Sequence, residues 1–341
     1  MVLFRCVMEN KYIYQLFRRF LFLIFFSCHI QYGKAGEDKS CISAALKLPL
    51  LGGRTDAPII PVKVSGVEAA MYISPDYFDG LYMREGGNFL IRPGSIRGEI
   101  IENGFHTFPA ESTTIDSLEI GGAKVENPKV FRLPGYVTQS INGRPLVGVV
   151  GDSILSHFQV LIDMPHGVFF LLKISDDDFC ESIEKKLLGE NVNSVPIRGK
   201  QKEVPVKIDG VEEWFRINTI LSTAVVPSNW HQIPELDPNA VAKGELIVTN
   251  YVDGPAGRVP GRKIVIHDIH IGHEDMSGTP VLVQNRLDSG ALGTEFFANH
   301  IVLIDYDRKT MFFSRSANRI QSVGHDLHFE QNIEGKTAIH E

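Results

Sequence analysis

Positive charge is in short supply. Against 41 Asp and Glu the 341-residue chain sets only 34 Lys and Arg, a net charge of −7. That balance argues against a nucleic-acid partner, which would require a basic surface. Glycine (31) and proline (18) are enough for many tight turns and too few for a low-complexity chain. Helical periodicity is scarce beyond the N-terminal region. Short stretches rich in Val, Ile and Phe recur instead, bounded by Gly, Pro, Asn and Asp, and that pattern is all-β. Cysteine is also rare. Cys6 and Cys28 lie near the N-terminus, so only Cys41 and Cys180 remain in the body of the chain, either as one disulfide or as two separate buried thiols.

The apolar run near the N-terminus is short for a membrane span. Arg18 and Arg19 precede Phe20-Leu21-Phe22-Leu23-Ile24-Phe25-Phe26, after which the chain turns polar at Ser27. A basic segment followed by such a run fits a signal peptide. Gly33-Lys34-Ala35 offers small residues before a cleavage at Gly36. Residues 1–35 are therefore expected to direct export, to the periplasm or the medium. Their retention as a signal anchor is the alternative, and any membrane contact is expected through this segment alone.

An internal repeat organises the rest. Pro61-Val62-Lys63-Val64-Ser65-Gly66-Val67-Glu68 returns as Pro205-Val206-Lys207-Ile208-Asp209-Gly210-Val211-Glu212. Each copy reads as a strand, a tight turn and a second strand. Later, Gly148-Val149-Val150-Gly151 matches Gly290-Ala291-Leu292-Gly293, and the match runs on without a gap to Val160-Leu161-Ile162-Asp163 and Val302-Leu303-Ile304-Asp305. Two motifs repeated in order at nearly constant offset mean a duplicated lobe. The lobes are expected over residues 42–175 and 196–316, with a linker over 176–195 that holds a short helix over 181–188, and a polar, mobile tail over 317–341.

These motifs resemble the aspartic-protease superfamily, specifically the small retropepsin-like lobes that occur in tandem in some exported bacterial proteins. The resemblance implies an all-β fold of two pseudo-symmetric acid-protease-like barrels with a central cleft and few short helices. In that family a lobe opens with a hairpin such as Val62 to Ile73, carries Asp-Thr/Ser-Gly, and closes with an apolar-apolar-Gly element. Val149-Val150-Gly151 and Ala291-Leu292-Gly293 match the closing element. The catalytic register falls on Ser74 in one half and Asn218 in the other. Both are neutral, whereas the family's chemistry needs two carboxylates sharing one proton. No catalytic residue is therefore expected.

Several other residues invite a functional reading. Asp288-Ser289-Gly290-Ala291 imitates a catalytic triplet, but Asn285 and Arg286 precede it where a buried strand should be apolar. Asp288 reads as a turn residue, with catalysis as its alternative. Asp76 and Asp79 lie near the first dyad position, and surface turns are the expected setting for both. His267, His270 and His273 hint at a metal, but on a strand they cannot share one face. Ser153, Ser156 and His157 lack the Gly-x-Ser-x-Gly context of a nucleophile. Segments 84–112 and 234–262 occupy the family's flap positions. No metal and no cofactor are expected. The favoured function is an inactive protease homologue that holds an extended peptide or protein partner between its lobes. An active aspartic endopeptidase using Asp288 or a shifted register, such as one through Asp76 or Asp79, and a structural envelope component are the alternatives.

Overall fold

The computed structural model describes residues 41–341 except 54–55, 78–79, 87–88, 90, 92–94, 103–106, 176–179, 181, 251–257, 286, 317–327, 332–336 and 341. The expected signal segment, the Asp176-Asp177-Asp178 run and Asp79 lie outside the described residues. No helix among those residues is long and apolar enough to cross a membrane.

The chain is all-β. Two large sheets repeat one plan. The first runs Ser95–Glu102, Thr107–Thr114, Lys129–Tyr136, Leu81–Glu85, Arg144–Val150, Val67–Ile73, Ile59–Val64, Ser117–Ile120 and Ala123–Glu126. The second runs Glu245–Asn250, Arg258–Ile266, Thr279–Gln284, Ala224–Pro227, Gly290–Leu292, Val211–Ile217, Glu203–Ile208, Ile269–Ile271 and Glu274–Asp275. Strand for strand the orders correspond. In each half the hairpin read from the sequence is present, and its second strand lies parallel to the closing element: Ile73 beside Val150 and Ile217 beside Leu292. The closing elements, residues 146–150 and Gly290–Leu292, are buried throughout because both their faces are covered, as those of parallel strands generally are.

The closing glycines are fixed by close approach. A Cβ on Gly151 would overlap the Tyr77 carbonyl, and one on Gly293 would overlap the Thr223 backbone. A short helix follows each, Asp152–Leu155 and Thr294–Asn299. Its first amide is held by the loop it passes under: Asp152 N–H donates to Tyr77 O at 2.8 Å, and Thr294 N–H to Leu221 O at 2.6 Å.

A third, six-stranded sheet joins the halves. Its order is Ile42–Pro49, Val168–Ile174, Gln159–Asp163, His300–Asp305, Thr310–Arg315 and Asn193–Pro196. At its middle Gln159–Asp163 pairs antiparallel with His300–Asp305, and Leu161 stands directly opposite Leu303. Those two leucines are each other's counterparts in the repeat, so the pseudo-twofold axis passes between them. Residues of both halves and of this sheet meet in one continuous core, from Ile60 and Met71 through Val160 and Ile162 to Phe215, Val302 and Phe313.

Regular structure also lies between and after the lobes, and the short helix expected near residues 181–188 is present. The segment read as a linker carries the helix Ile183–Leu188 and the strand Asn193–Pro196, which joins the shared sheet. The helix is anchored at Glu184, which accepts from Arg308, and Arg308 also donates to Asp305 at 2.6 Å. The tail is not without regular structure: His328–Gln331 and Thr337–His340 pair as a hairpin. Alternation in His-Phe-Glu-Gln and Thr-Ala-Ile-His is too short to stand out from polar surroundings. Cys41 and Cys180 are bonded, with Cα atoms 5.4 Å apart, closing the first half across 139 residues.

Candidate functional site

Strands Val67–Ile73 and Val211–Ile217 deliver two loops to the same place. Each strand ends in buried apolar residues, so the residue after it emerges inside the protein. Ser74 follows the first strand and Asn218 the second, 0% and 3% exposed. Between them sits Asp76, 2% exposed. Its placement corrects the reading of Asp76 as a surface turn carboxylate. The turn Ser74-Pro75-Asp76 folds inward because the second half closes over it.

The hydrogen bonds around Asp76 are fully directed. Ser74 Oγ donates to Asp76 Oδ1 at 2.6 Å, and Asn218 Nδ2 donates to Asp76 Oδ2 at 2.8 Å. The Asn218 side chain cannot turn over, because its Oδ1 already accepts from the amides of Ile220 and Leu221, each at 2.9 Å. Next to it Thr219 bridges the halves: its Oγ donates to Ile73 O, and its amide points at Ser74 Oγ at 3.5 Å. Thr294 Oγ holds Thr219 O at 2.8 Å from behind. Both oxygens of the one carboxylate are thus occupied by neutral donors, one from each half.

Electrostatics set the state of that carboxylate. Burial pushes the Asp76 pKa up from 3.8 to about 6, against the hydrogen bonds from Ser74 and Asn218 and the charge of Arg216. Arg216 is itself 1% exposed, on the strand leading to Asn218. A second cross-half contact lies nearby. Lys202 Nζ pairs with Asp152 Oδ2 at 2.9 Å, and burial raises the Asp152 pKa despite that partner. The Tyr306 hydroxyl, buried and subject to both Asp152 and Asp76, is held well above the usual phenol range.

This arrangement can accept or release one proton. Among the described residues its two carboxylate oxygens are met by Ser74 and Asn218 rather than by a second carboxylate. Asp288 lies elsewhere, in an exposed bend before Gly290–Leu292, with Ser289 buried behind it. His267 sits in a bend hydrogen-bonded to Glu235 at 2.9 Å, and His270 pairs with Asp268 at 2.9 Å. No group of three metal-ligating side chains converges among the described residues. Ser153 lies on the first short helix, and Ser156 and His157 lie just past its end. Sequence reasoning found Ser74 and Asn218 and misplaced Asp76. The signal available was Arg216, a full charge inside the apolar run Trp214-Phe215-Arg216-Ile217, which calls for a buried counter-charge.

Compared with protein-family models and with curated proteins, the chain matches none. Among solved structures it is similar to the aspartic proteinase from Irpex lacteus, with a TM-score of 0.48 and 9% identity over 80% of this chain and 98% of that one. The class defined by the chain's own strand order and pairing is a duplicated, two-lobed all-β protein whose halves share a central sheet.

Proposed function

We propose that this protein is an exported, non-hydrolytic relative of the two-lobed acid proteases that binds an extended peptide or protein segment between its halves. The observation that carries the proposal is the state of Asp76. A lone carboxylate with both oxygens taken by Ser74 and Asn218 serves as a tie between halves, and a hydrolase would need those oxygens turned toward substrate. Binding is supported by the two hairpins that begin the sheet orders of the halves, Ser95–Glu102 with Thr107–Thr114 and Glu245–Asn250 with Arg258–Ile266. Strands at such positions can add a main-chain ladder to a guest strand. Export is supported by the basic-apolar N-terminal pattern and by the Cys41–Cys180 bond, which an oxidising compartment would preserve.

A pepstatin-sensitive cleavage assay on unfolded protein substrates at acid pH tests the proposal. No turnover is expected from the wild type, Asp76→Asn or Asp288→Asn. Turnover lost in either variant would overturn it and assign catalysis to that carboxylate. Crosslinking in the native compartment then separates peptide or partner capture from a purely structural envelope role.

A further inference from the structure

Sheet edges are templates for pairing with another chain, and proteins usually blunt them with bulges, prolines, lysines or brevity. Five of the six edges of the large sheets here are blunted. Ile42–Pro49 has a register break after Ile42, and Ser95–Glu102 has one after Ser95. Asn193–Pro196 is four residues long and ends in proline. Ala123–Glu126 is four residues long and carries a Lys124–Glu126 ion pair at 2.6 Å. Glu274–Asp275 has only two residues.

The sixth edge, Glu245–Asn250, has none of these devices. Its six residues pair with Arg258–Ile266 without a register break, and among the described residues with no other strand. It contains no Lys, Arg or Pro. Leu246 and Val248 stand 60% and 52% exposed on one face. Ile247, on the other face, packs at the rim of the cluster of Val225, Leu282, Leu287 and Ala291.

We infer that this edge pairs with the same edge of a second copy of the chain, antiparallel and centred on Ile247. The strand is its own complement in that register. Side chains directly opposite in an antiparallel pair share a face. Leu246 therefore meets the second copy's Val248, Val248 meets its Leu246, and the two Ile247 side chains meet on the inner face, extending the cluster there. Glu245 is the strand's only charge and does not oppose itself, so no like charges face each other. A guest strand of unrelated sequence would need to supply this apolar alternation, whereas a second copy has it already. The inference assigns to a second copy an edge that the proposed function offers to a guest strand, so the two compete there, and the pepstatin assay leaves it untouched.

Light scattering of the full chain eluting from a sizing column, at micromolar concentration, tests it. The wild type is expected at twice the mass of a single chain. Val248→Lys should weaken the dimer at least about tenfold, because a charge then faces the second copy's leucine. Adding Leu246→Glu to that variant should restore it, since each introduced glutamate then faces an introduced lysine. Val125→Lys, on the blunted edge of the first half, should leave the dimer unchanged. Circular dichroism melts confirm that each variant is folded. A monomeric wild type, a dimer insensitive to Val248→Lys, or a failure of the double variant to recover would each overturn the inference, as would a wild type that binds strand peptides at this edge in place of itself.

Discussion

Asn218 and Asp76 are joined across the two halves by a hydrogen bond whose polarity is fixed in advance. Two backbone amides occupy Asn218 Oδ1, so only Nδ2 remains to meet Asp76, 2.8 Å away. At the position where the family resemblance implies a catalytic carboxylate stands a donor aimed at the other half's carboxylate. The predictions below follow from this tie and from the packing around it.

Asp76→Ala should destabilise the protein by about 3 kcal/mol, because it strands the Asn218 amide and removes a buried negative charge that interacts with the buried Arg216. Urea unfolding followed by fluorescence measures this. A loss under about 0.5 kcal/mol, the range of an ordinary surface change, would show that the tie is not structural.

The pH dependence has an unusual sign for an aspartate. Its pKa rises from 3.8 in the unfolded chain to about 6 in the folded one, so the folded state holds the proton more tightly between those values. The part of Asp76's contribution that is linked to its proton, separate from the hydrogen-bonded tie, is fully present below about pH 4, declines as pH rises through the window, and is gone above about pH 6. At about 1.4 kcal/mol per pH unit the difference approaches ~3 kcal/mol. Urea midpoints between acid and neutral pH, compared for wild type and Asp76→Asn, isolate it. Parallel curves for the two proteins would contradict the buried placement of Asp76.

Gly148→Ala should cost at least about 3 kcal/mol, beyond ordinary overpacking, because the new Cβ would overlap the Tyr82 carbonyl of the neighbouring strand. Gly167 has open space around it and a positive φ of 67°. Gly167→Ala should therefore cost only about 1 kcal/mol, the strain of a left-handed residue. Thermal midpoints of the two variants should fall in that order.

Loss of the Cys41–Cys180 bond frees a loop of 139 residues. Cys180→Ala should lower stability by about 2–5 kcal/mol. Chemical unfolding with and without reductant should shift the wild type by a similar amount and leave the variant unmoved.

The architecture was legible because duplication leaves two copies of each signal. Pro61-Val62-Lys63-Val64 and Pro205-Val206-Lys207-Ile208 located both hairpins, whereas the pairing of the matched segments 160–163 and 302–305 at the seam of the central sheet emerged only in the structure. What sequence reading could not supply was burial by the other half. Asp76 sits in a turn with a proline before it, a setting in which aspartate is commonly exposed. Only the arrival of Asn218 and Thr219 from 142 or more residues away encloses it. The edge strand Glu245–Asn250 was read merely as part of a flap, since edges are defined by which neighbours a strand lacks.

The seam at Leu161 and Leu303 also governs how the molecule can move. An antiparallel ladder of five residue pairs resists sliding and prying apart, because either would break every hydrogen bond in it together. Twisting costs far less, since sheets accommodate a range of twist between neighbouring strands. The least costly adjustment at this seam is therefore a change of twist between Gln159–Asp163 and His300–Asp305, limited by the core and by the Asn218–Asp76 bond that also join the halves.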